Sequence, residues 1–485
     1  MRKLKLLLLG FLAFSLLGLP FNLKITPIKA SVSQSWYYSN FSYRVEHNIT
    51  GSSAGDVTDY QIKIVVRNAT GGGSGNTYNT TNIAQPDFDD VRFTWYNSSS
   101  GEEQPCDYWR EAYVAGEYAI FWVEVPSIPS SGDTTIYIYY GKSDATTTSN
   151  GKNTFLKFYD FNTDESDEWT LDVGSWEWDT TNGYLKLTTS KSEDRARIKN
   201  YTPSTGIAIR ARLYGSSSPD DETAAAILFG YQDGSNFYMA RINSYYDQVQ
   251  LYKKVAGSFT KIGYSPKTVY TDTWYILDVA WISASHVKVW LDETLEIDQT
   301  SDLEAWTSGD IGVRGYYAEE WYDYYFVRKY VEPEPTHGSW GSEEQAPQAP
   351  TYSNLSPENN YISQPSESIT FSAYWTTNNG DLSHYIFSYK VDDGSWTNET
   401  YSFPEGVTES WSNITKNVDD FADSEGKWIY WKIYANDTDG KWSVTEERCL
   451  FNWENLPPVS RFVDGRSVVG GWQHIYYNGS KEAIY

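Results

Sequence analysis

The chain has few cysteines and histidines, the residues that cross-link small domains or bind metals. Its 485 residues include only two cysteines, Cys106 and Cys449, with two methionines and five histidines. The cysteines are far apart, which excludes a disulfide framework, and the histidines are scattered without the spacing of a zinc motif. We therefore expect packed secondary structure, rather than cross-links, to stabilise the protein.

Positive charge is also scarce. Lysine and arginine number 38 against 64 acidic residues, which gives a formal net charge of −26. Such a surface repels nucleic acid and anionic membranes, so we expect neither as a partner. Beyond the first residues there is no apolar run of the roughly 18 residues that a membrane helix needs.

The N-terminus has the pattern of an export signal. Arg2, Lys3 and Lys5 precede an apolar run over residues 6–19, which is short for a membrane span. We expect a signal peptide over residues 1–30, cleavage after Ala30 and an extracellular or cell-surface protein without membrane insertion; an uncleaved signal anchor is the alternative. Eleven N-x-S/T motifs agree with an exported glycoprotein. They begin at Asn40, Asn48, Asn68, Asn79, Asn97, Asn200, Asn354, Asn398, Asn413, Asn436 and Asn478.

No long helical periodicity occurs, whereas period-two alternation recurs throughout. In TTIYIYY (134–140), Ile136 and Ile138 alternate with Tyr137 and Tyr139. Similar runs occupy residues 59–66, 90–96 and 119–125, with turn-rich segments between them. The pattern predicts an antiparallel β-sandwich over residues 31–151. Packing on both faces of its sheet explains the tyrosines, although a surface that stacks on sugars would also use them.

One set of motifs in this first region resembles a known family. The motifs are DDVRFT (89–94), CDYWREAY (106–113), FWVEVPSIP (121–129), IYIYYGKSDAT (136–146) and NGKNTF (150–155). In this order they resemble the domain of unknown function 2341, over about residues 34–155. The resemblance implies an extracellular β-domain, usually beside lectin-like modules, and it implies no catalytic residue.

The next region, residues 156–331, resembles a concanavalin A-like or laminin-G-like jelly roll. The matching pieces include NGYLKL (182–187), DTWYILDVAWI (272–282), HVKVWLDETLEI (286–297) and GDIGVRGYY (309–317). That fold carries lectins, adhesion modules and glycosidases, so the resemblance implies an architecture rather than an activity.

Three further segments complete the predicted organisation. Residues 332–350 are rich in proline and glutamate and predict an extended linker. In residues 351–454, polar and apolar residues alternate in several runs that include tryptophans. This pattern predicts an immunoglobulin or fibronectin III-like sandwich. Residues 455–485 follow a Pro-Pro break and predict an extension or a partial domain. The fold class is therefore all-β, with sandwiches in tandem.

Catalytic motifs are missing. The chain has no H-E-x-x-H, G-x-S-x-G, Walker A or Rossmann fingerprint. Retaining glucanases of the jelly-roll fold need two close carboxylates; Glu296 and Asp298 share a predicted strand face, but no third acid follows them. We therefore predict no catalytic residue and keep a glycan hydrolase as an alternative.

A calcium ion is the one cofactor that the sequence suggests. Asp160 and Asp323 occupy comparable ends of the first and last strands of the predicted jelly roll, where some carbohydrate-binding jelly rolls share a calcium ion. Two exposed loop acids are the alternative.

Four arginines stand opposite in phase to core residues of the predicted strands. They are Arg210, Arg212, Arg241 and Arg314. If their strands are neighbours in one sheet, the guanidinium groups would form a site for an anionic glycan, with Tyr231 and Trp290 as stacking partners. The alternative is a solvated face on which each arginine pairs with a local acid.

The leading hypothesis is a secreted or cell-surface, non-enzymatic protein. Its jelly roll would bind a carbohydrate or a partner protein at the cell surface. A glycan-active hydrolase and a structural stalk, sheath or surface-layer component are the alternatives.

Overall fold

The computed structural model describes residues 36–188, 193–216, 224–316, 318–363, 367–378 and 380–452, and two short strands after residue 461. The predicted signal peptide (1–30) and most of the predicted extension (455–485) lie outside the described residues. The regular secondary structure of the described chain is almost wholly strand, which confirms the all-β class. Within these ranges, no helix is both long enough and apolar enough to span a membrane.

The first sandwich packs two five-stranded sheets around an aliphatic and aromatic core. Its strands are β1 (Tyr43–Thr50), β2 (Val57–Asn68), β3 (Gly72–Ser74), β4 (Thr77–Thr80), β5 (Arg92–Asn97), β6 (Glu102–Pro105), β7 (Tyr108–Val114), β8 (Tyr118–Ile128) and β9 (Asp133–Tyr140). One sheet has the order β3-β4-β2-β8-β7, and the other contains β1-β9-β5-β6.

Strand β9 is packed on both faces, as its alternation predicts. Ile136 and Ile138 lie in the core between the sheets. Tyr137 and Tyr139 lie on the opposite face, where the segment from Trp36 to Phe41 covers them. The tyrosine row is therefore the inner layer of a second packed cluster rather than an exposed stacking surface.

The second sandwich follows the one-turn helix α1 (Gly151–Thr154) and pairs an eight-stranded sheet with a seven-stranded one. Its strands are β10 (Lys157–Tyr159), β11 (Trp169–Val173), β12 (Trp176–Asp179), β13 (Tyr184–Leu187), β14 (Arg195–Ile198), β15 (Ile207–Gly215), β16 (Ala226–Asp233), β17 (Asn236–Asn243), β18 (Gln248–Val255), β19 (Ser258–Pro266), β20 (Thr273–Ser283), β21 (His286–Leu291), β22 (Thr294–Gln299), β23 (Asp310–Arg314) and β24 (Glu320–Lys329). A 3₁₀ turn, Ser166–Glu168, precedes β11.

The two sheets of the second sandwich interleave strands from distant parts of the sequence. The eight-stranded sheet has the order β12-β13-β24-β15-β20-β21-β22, with β10 also paired to β24. The seven-stranded sheet has the order β11-β14-β23-β16-β17-β18-β19. A single large core lies between them.

The prediction of an extended linker over residues 332–350 is wrong, because most of that segment is a strand of the first sandwich. Strand β25 (Thr336–Gln345) pairs antiparallel with β1 and completes that five-stranded sheet as β25-β1-β9-β5-β6. Its Trp340 ring stacks on His47 at 3.6 Å and lies over Gly73, where an added Cβ would come within 1.9 Å of the ring. The second sandwich is therefore an insertion between two strands of the first.

The third domain is a smaller sandwich of a three-stranded and a six-stranded sheet. Its strands are β26 (Thr351–Ser356), β27 (Tyr361–Ser363), β28 (Ser368–Thr376), β29 (Leu382–Val391), β30 (Thr397–Ser402), β31 (Glu409–Asn417), β32 (Trp428–Asp437), β33 (Trp442–Val444) and β34 (Arg448–Asn452), with a 3₁₀ turn at Val418–Asp420. The sheets have the orders β26-β28-β31 and β27-β34-β32-β29-β30, and β33 pairs with β32. A two-residue hairpin, β35 (Phe462–Val463) and β36 (Arg466–Ser467), lies beyond.

A buried ion network joins the first two sandwiches. Arg210 on β15 contacts three carboxylates: Asp278 at 2.7 Å, Glu111 of the first sandwich at 2.9 Å and Glu293 at 2.9 Å. The side chain of Glu111 is only 2% exposed and also accepts hydrogen bonds from Trp122 Nε1 and the Tyr324 hydroxyl. Burial alone would raise the pKa of Glu111, but the Arg210 guanidinium and nearby Lys63 hold it below its ordinary value.

Aromatic rings fill the space beside this network. Trp109 and Trp122 of the first sandwich pack edge-on against Phe326 of the second. Phe155, from the connection between the sandwiches, and Phe158, on β10, complete the cluster. The junction thus combines apolar burial with ion pairs between Arg210 and carboxylates of both sandwiches.

Removing Glu111 should destabilise the protein strongly. We expect Glu111→Ala to cost about 3–5 kcal/mol of unfolding free energy, because Arg210 would remain buried beside fewer counter-charges. Denaturant unfolding checks this. The exposed Glu102 on β6 provides the control, since Glu102→Ala should change stability by less than about 0.5 kcal/mol. Equal stability of the two variants would contradict the role of the network.

The pairing of β25 with β1 should weaken in acid. His47 Nε2 lies 2.9 Å from His337 Nδ1, and burial lowers the pKa of His47 to about 3 and that of His337 to about 4. The unfolded chain takes up these protons near the ordinary histidine pKa of about 6.5, so stability is lost as the pH falls from 6.5 towards 4. We expect thermal melts of His337→Gln to show a smaller decline over this range, whereas the exposed His384→Gln should retain it in full. An unchanged slope in His337→Gln would contradict the prediction.

Candidate functional site

The outward face of the seven-stranded sheet carries an unusual row of side chains. Register places Arg195, Arg314, Ala226, Arg241 and Gln250 side by side on five adjacent strands, β14, β23, β16, β17 and β18. All five lie opposite in phase to core residues on the same strands. A small residue, Ala226, separates Arg314 from Arg241 in this row.

This row forms part of a groove with a volume of about 290 Å³. Its lining combines two arginines, one acid and four large apolar or aromatic side chains. They are Glu193, Met239, Arg241, Tyr252, Phe259, Arg314 and Tyr316, and we call this set the groove.

Both groove arginines are largely buried, and aromatic rings hold them in place. Arg241 is 7% exposed; its guanidinium lies 4.9 Å from the Tyr252 ring centroid, and its Nε donates to Gln250 at 2.8 Å. Arg314 is 2% exposed and lies 5.4 Å from the Phe259 ring. Burial and the charge of Arg241 lower the pKa of Arg314 to about 10. An anion that entered the groove would relieve this crowding of positive charge.

An ion pair across the sheet braces one side of the groove. Glu193, just before β14, accepts two hydrogen bonds from the Lys254 ammonium on β18, at 2.8 and 2.9 Å. The same ammonium lies 4.8 Å from the Phe259 ring. Glu193 is the one carboxylate among the described groove residues, and it is already paired.

A buried acid at the end of the sandwich positions the groove residue Tyr316. Glu320 accepts hydrogen bonds from the backbone N–H groups of Tyr316 and Ala224, at 3.1 and 3.2 Å. Burial raises the pKa of Glu320 to about 8, so the carboxyl group is largely protonated at neutral pH. The residue therefore anchors the chain on both sides of the groove without adding a negative charge to it.

The four arginines predicted to form one cluster are divided between two sheets, so that prediction is wrong. Arg241 and Arg314 lie in the groove, whereas Arg210 and Arg212 lie on β15 of the eight-stranded sheet. Arg212 is half-buried and pairs with Asp323, as the alternative predicted. Alternation assigns a side chain to the inside or outside of its own sheet, and it does not identify which sheet the strand joins.

The two predicted stacking residues are also separated. Tyr231 lies on the same sheet as the groove, where its ring contacts the guanidinium of Arg197 at 4.2 Å. Trp290 lies on β21 and, with Arg210 and Asp278, lines a second cavity of about 290 Å³ between the first two sandwiches. That cavity is bounded largely by the ion network of the junction.

Each acid predicted for calcium binding or for hydrolysis has a partner of its own within the chain. Asp323 pairs with Arg212, and Asp160 accepts the backbone N–H of Asn162 at 3.2 Å. In the part of the chain that the structure describes, no three His, Cys, Asp or Glu side chains form a group suited to a metal ion. Calcium at Asp160 and Asp323 remains a prediction.

The acids of β22 have separate basic partners. Glu296 bonds to Ser265 at 2.6 Å and pairs with Lys267 at 3.2 Å, while Asp298 pairs with His286 at 2.7 Å. Neither residue lines the groove.

Sequence reasoning missed most of the groove. Tyr252, Phe259 and Tyr316 come from β18, β19 and the connection after β23, and no spacing rule links them. Lys254 on β18 faces away from the core residue Leu251. The same alternation identified the arginines, so it could have predicted Lys254 as well. Glu193 lies outside any strand and gave no signal.

A family model for a domain of unknown function, DUF2341, matches residues 87–181 of the chain. The match covers the second half of the first sandwich and continues into β12 of the second. No curated protein matches the chain.

Several solved structures resemble about a third of the chain. A carbohydrate-binding module, CBM66, from Bacillus subtilis is 18% identical over 36% of this chain and 96% of its own length, with a TM-score of 0.28. A Bacillus licheniformis beta-glucanase is 14% identical over 36% and 97%, with a TM-score of 0.29. The galectin LEC-6 of Caenorhabditis elegans is 10% identical over 29% and 94%, with a TM-score of 0.23. At these identities and scores, no function is transferred from these proteins to this chain.

The protonated state of Glu320 predicts a distinctive pH dependence. Because folding raises the pKa of this acid from about 4.5 to about 8, the native state holds a proton that the unfolded chain releases, and stability falls as the pH rises through that interval. Glu320→Gln keeps the acceptor oxygen and should abolish this decline. Chemical denaturation at pH 5, 6.5 and 8 measures it, with the exposed Glu319→Gln as the control. A decline of equal size in both variants would contradict the assignment.

Proposed function

We propose that this chain is an exported glycan-binding protein whose binding site is the groove on the seven-stranded sheet. The observation that carries the proposal is the pair of buried guanidinium groups, Arg241 and Arg314, set among Tyr252, Phe259 and Tyr316. Arginine forks bind carboxylate and sulfate groups, and aromatic faces stack on sugar rings. The ligand class that this combination favours is a glycan bearing a carboxylate or sulfate group.

The size and composition of the groove favour binding over hydrolysis. A volume of about 290 Å³ suits a single charged sugar unit rather than a long buried chain. Hydrolysis of a glycosidic bond requires two carboxylates on either side of that bond. Glu193 is the one carboxylate among the described groove residues, and it already pairs with Lys254. A non-enzymatic role is therefore the proposal, with a glycan hydrolase as its alternative.

A structural role is a second candidate, and the junction between the first two sandwiches supports it. Insertion of the second sandwich between β9 and β25, together with the Arg210 network, makes that pair of sandwiches a stiff unit. A stalk, sheath or surface-layer component would use such a unit as a spacer.

Binding of the full chain to an array of neutral and acidic glycans, followed by calorimetry, tests the proposal. We expect Arg241→Gln to weaken binding of an acidic glycan by about 10- to 100-fold, because one charge-assisted contact is lost. Arg212→Gln is the matched control, since it removes a half-buried guanidinium from the other sheet and should leave affinity unchanged.

The array also separates the alternatives. Binding that is equal in Arg241→Gln and Arg212→Gln would place the site elsewhere. Silence across all glycans would favour the structural role, and release of a reducing sugar would favour the hydrolase. Repeating the assay with a chelator tests calcium, because a site at Asp160 and Asp323 predicts a loss of stability or binding when the ion is removed.

A further inference from the structure

The third domain presents a second basic and aromatic surface, on the outward face of its six-stranded sheet. Along β32 the core residues Ile429, Trp431 and Ile433 alternate with Tyr430, Lys432 and Tyr434, which point away from the core. Register places Lys390 of β29 opposite Tyr430, and Trp396 lies just before β30.

These five side chains form an alternating series of rings and ammonium groups, which we call the ladder: Tyr430, Lys390, Trp396, Lys432 and Tyr434. The Lys390 ammonium lies 5.0 Å from the Tyr430 ring and 5.2 Å from the Trp396 ring. The Lys432 ammonium lies 4.4 Å from the Trp396 ring and 5.3 Å from the Tyr434 ring. Each cation is thus held between two aromatic faces, an arrangement that orients it without neutralising its charge.

Among the described residues, no carboxylate pairs with either of these two cations. Neither Lys390 nor Lys432 forms an ion pair with any acid of the described residues, although the chain carries 64 acidic residues. Lys416, on the other sheet of the same domain, pairs with Glu399 at 2.7 Å in the ordinary way. Two aligned cations that pair with no acid of the described residues, in a chain of net charge −26, are electrostatically suited to an anion.

The geometry of the ladder distinguishes between classes of anion. Tyr430 and Tyr434 are four residues apart on one strand, so the ladder extends over about 13 Å. Strands β29 and β32 both lie inside the six-stranded sheet, between other strands, so a peptide strand could not add to either of them. Two cations suit a sparsely charged ligand, since the overall negative field disfavours a dense polyanion such as nucleic acid.

We propose that the ladder binds an acidic glycan of a few sugar units, with sugar faces stacked on the rings and carboxylate or sulfate groups on Lys390 and Lys432. Val444 lies opposite Tyr434 on the neighbouring strand β33. It and Trp442 of the same strand are exposed, and they extend the contact area. This site is independent of the groove, because it lies on a different domain and uses none of the groove residues.

The test uses the full chain in an Arg241→Gln background, so that any contribution of the groove is weakened beforehand. The probes are an oligogalacturonate, a sulfated dextran fragment and unmodified dextran, and affinity is measured by calorimetry at low and high salt. We expect at least one acidic probe to bind and dextran to bind at least about tenfold more weakly. Replacing both lysines, as Lys390→Gln with Lys432→Gln, should weaken the acidic probe by about tenfold or more and reduce its salt dependence.

Matched variants distinguish the ladder from a general effect of charge. Lys416→Gln removes one positive charge from the opposite sheet of the same domain and should leave affinity unchanged. Trp396→Leu should weaken binding while both lysines remain, because the stacking face is lost. Far-ultraviolet circular dichroism and a thermal melt confirm that each variant is folded.

Three results would overturn the proposal: unchanged affinity in the double lysine variant, dextran binding as tightly as the acidic probes, or no binding of any probe. Concentration-dependent dimers that disappear in the double lysine variant would assign the ladder to self-association instead, and sedimentation detects them. Failure at the groove is distinguishable, because Arg241→Gln in an otherwise unchanged chain tests the groove separately.

Discussion

The arrangement of the first two sandwiches depends on one guanidinium group. Arg210 lies at the junction, almost fully buried, with carboxylates from three different elements around it, one of them from the other sandwich. A buried ion pair adds little stability over an apolar contact of the same shape, but it is costly to break. Its main effect is therefore on specificity: only one docking of the two sandwiches satisfies both Glu111 and Arg210. The insertion of one sandwich within the other, closed by β25, reinforces that choice.

This docking decides which surface is available to a ligand. The first sandwich covers the middle of the outward face of the eight-stranded sheet, and its aromatic cluster fills the space there. The groove lies on the outward face of the other, seven-stranded sheet, where Arg241 and Arg314 are 7% and 2% exposed. The same residue type thus has two environments: Arg210 is surrounded by carboxylates at the junction, while Arg241 and Arg314 lie beside aromatic rings in the groove. Their strands carry equivalent alternation, so only the assembled sheets reveal the difference.

Much of the fold could be predicted from the sequence, because period-two alternation is a local property. The strands around Ile136 and Ile207 follow from it, as does the packing of β9 on both faces, with Ile136 on one and Tyr137 on the other. Strand β25 could not be predicted, since an edge strand buries little and THGSWGSEEQ is polar, with Trp340 as its one large apolar residue. The groove was only half predictable for a related reason. Phase shows that a side chain points outward, but strand order determines its neighbours, and strand order depends on contacts that are distant in sequence.

An acidic chain that presents two arrays of cations is not a contradiction. The net charge acts over about a Debye length, roughly 8 Å in physiological salt, and beyond that distance the solution screens it. At contact distance the local array dominates, particularly where rings have replaced water and carboxylates as its neighbours. In the groove and in the ladder, aromatic rings lie beside arginine or lysine, and in the ladder neither lysine pairs with an acid of the described residues. Long-range repulsion then discourages dense polyanions, while short-range attraction retains a ligand with a few well-spaced charges. Aromatic residues, 17% of the chain, therefore supply both its cores and the supports of its basic surfaces.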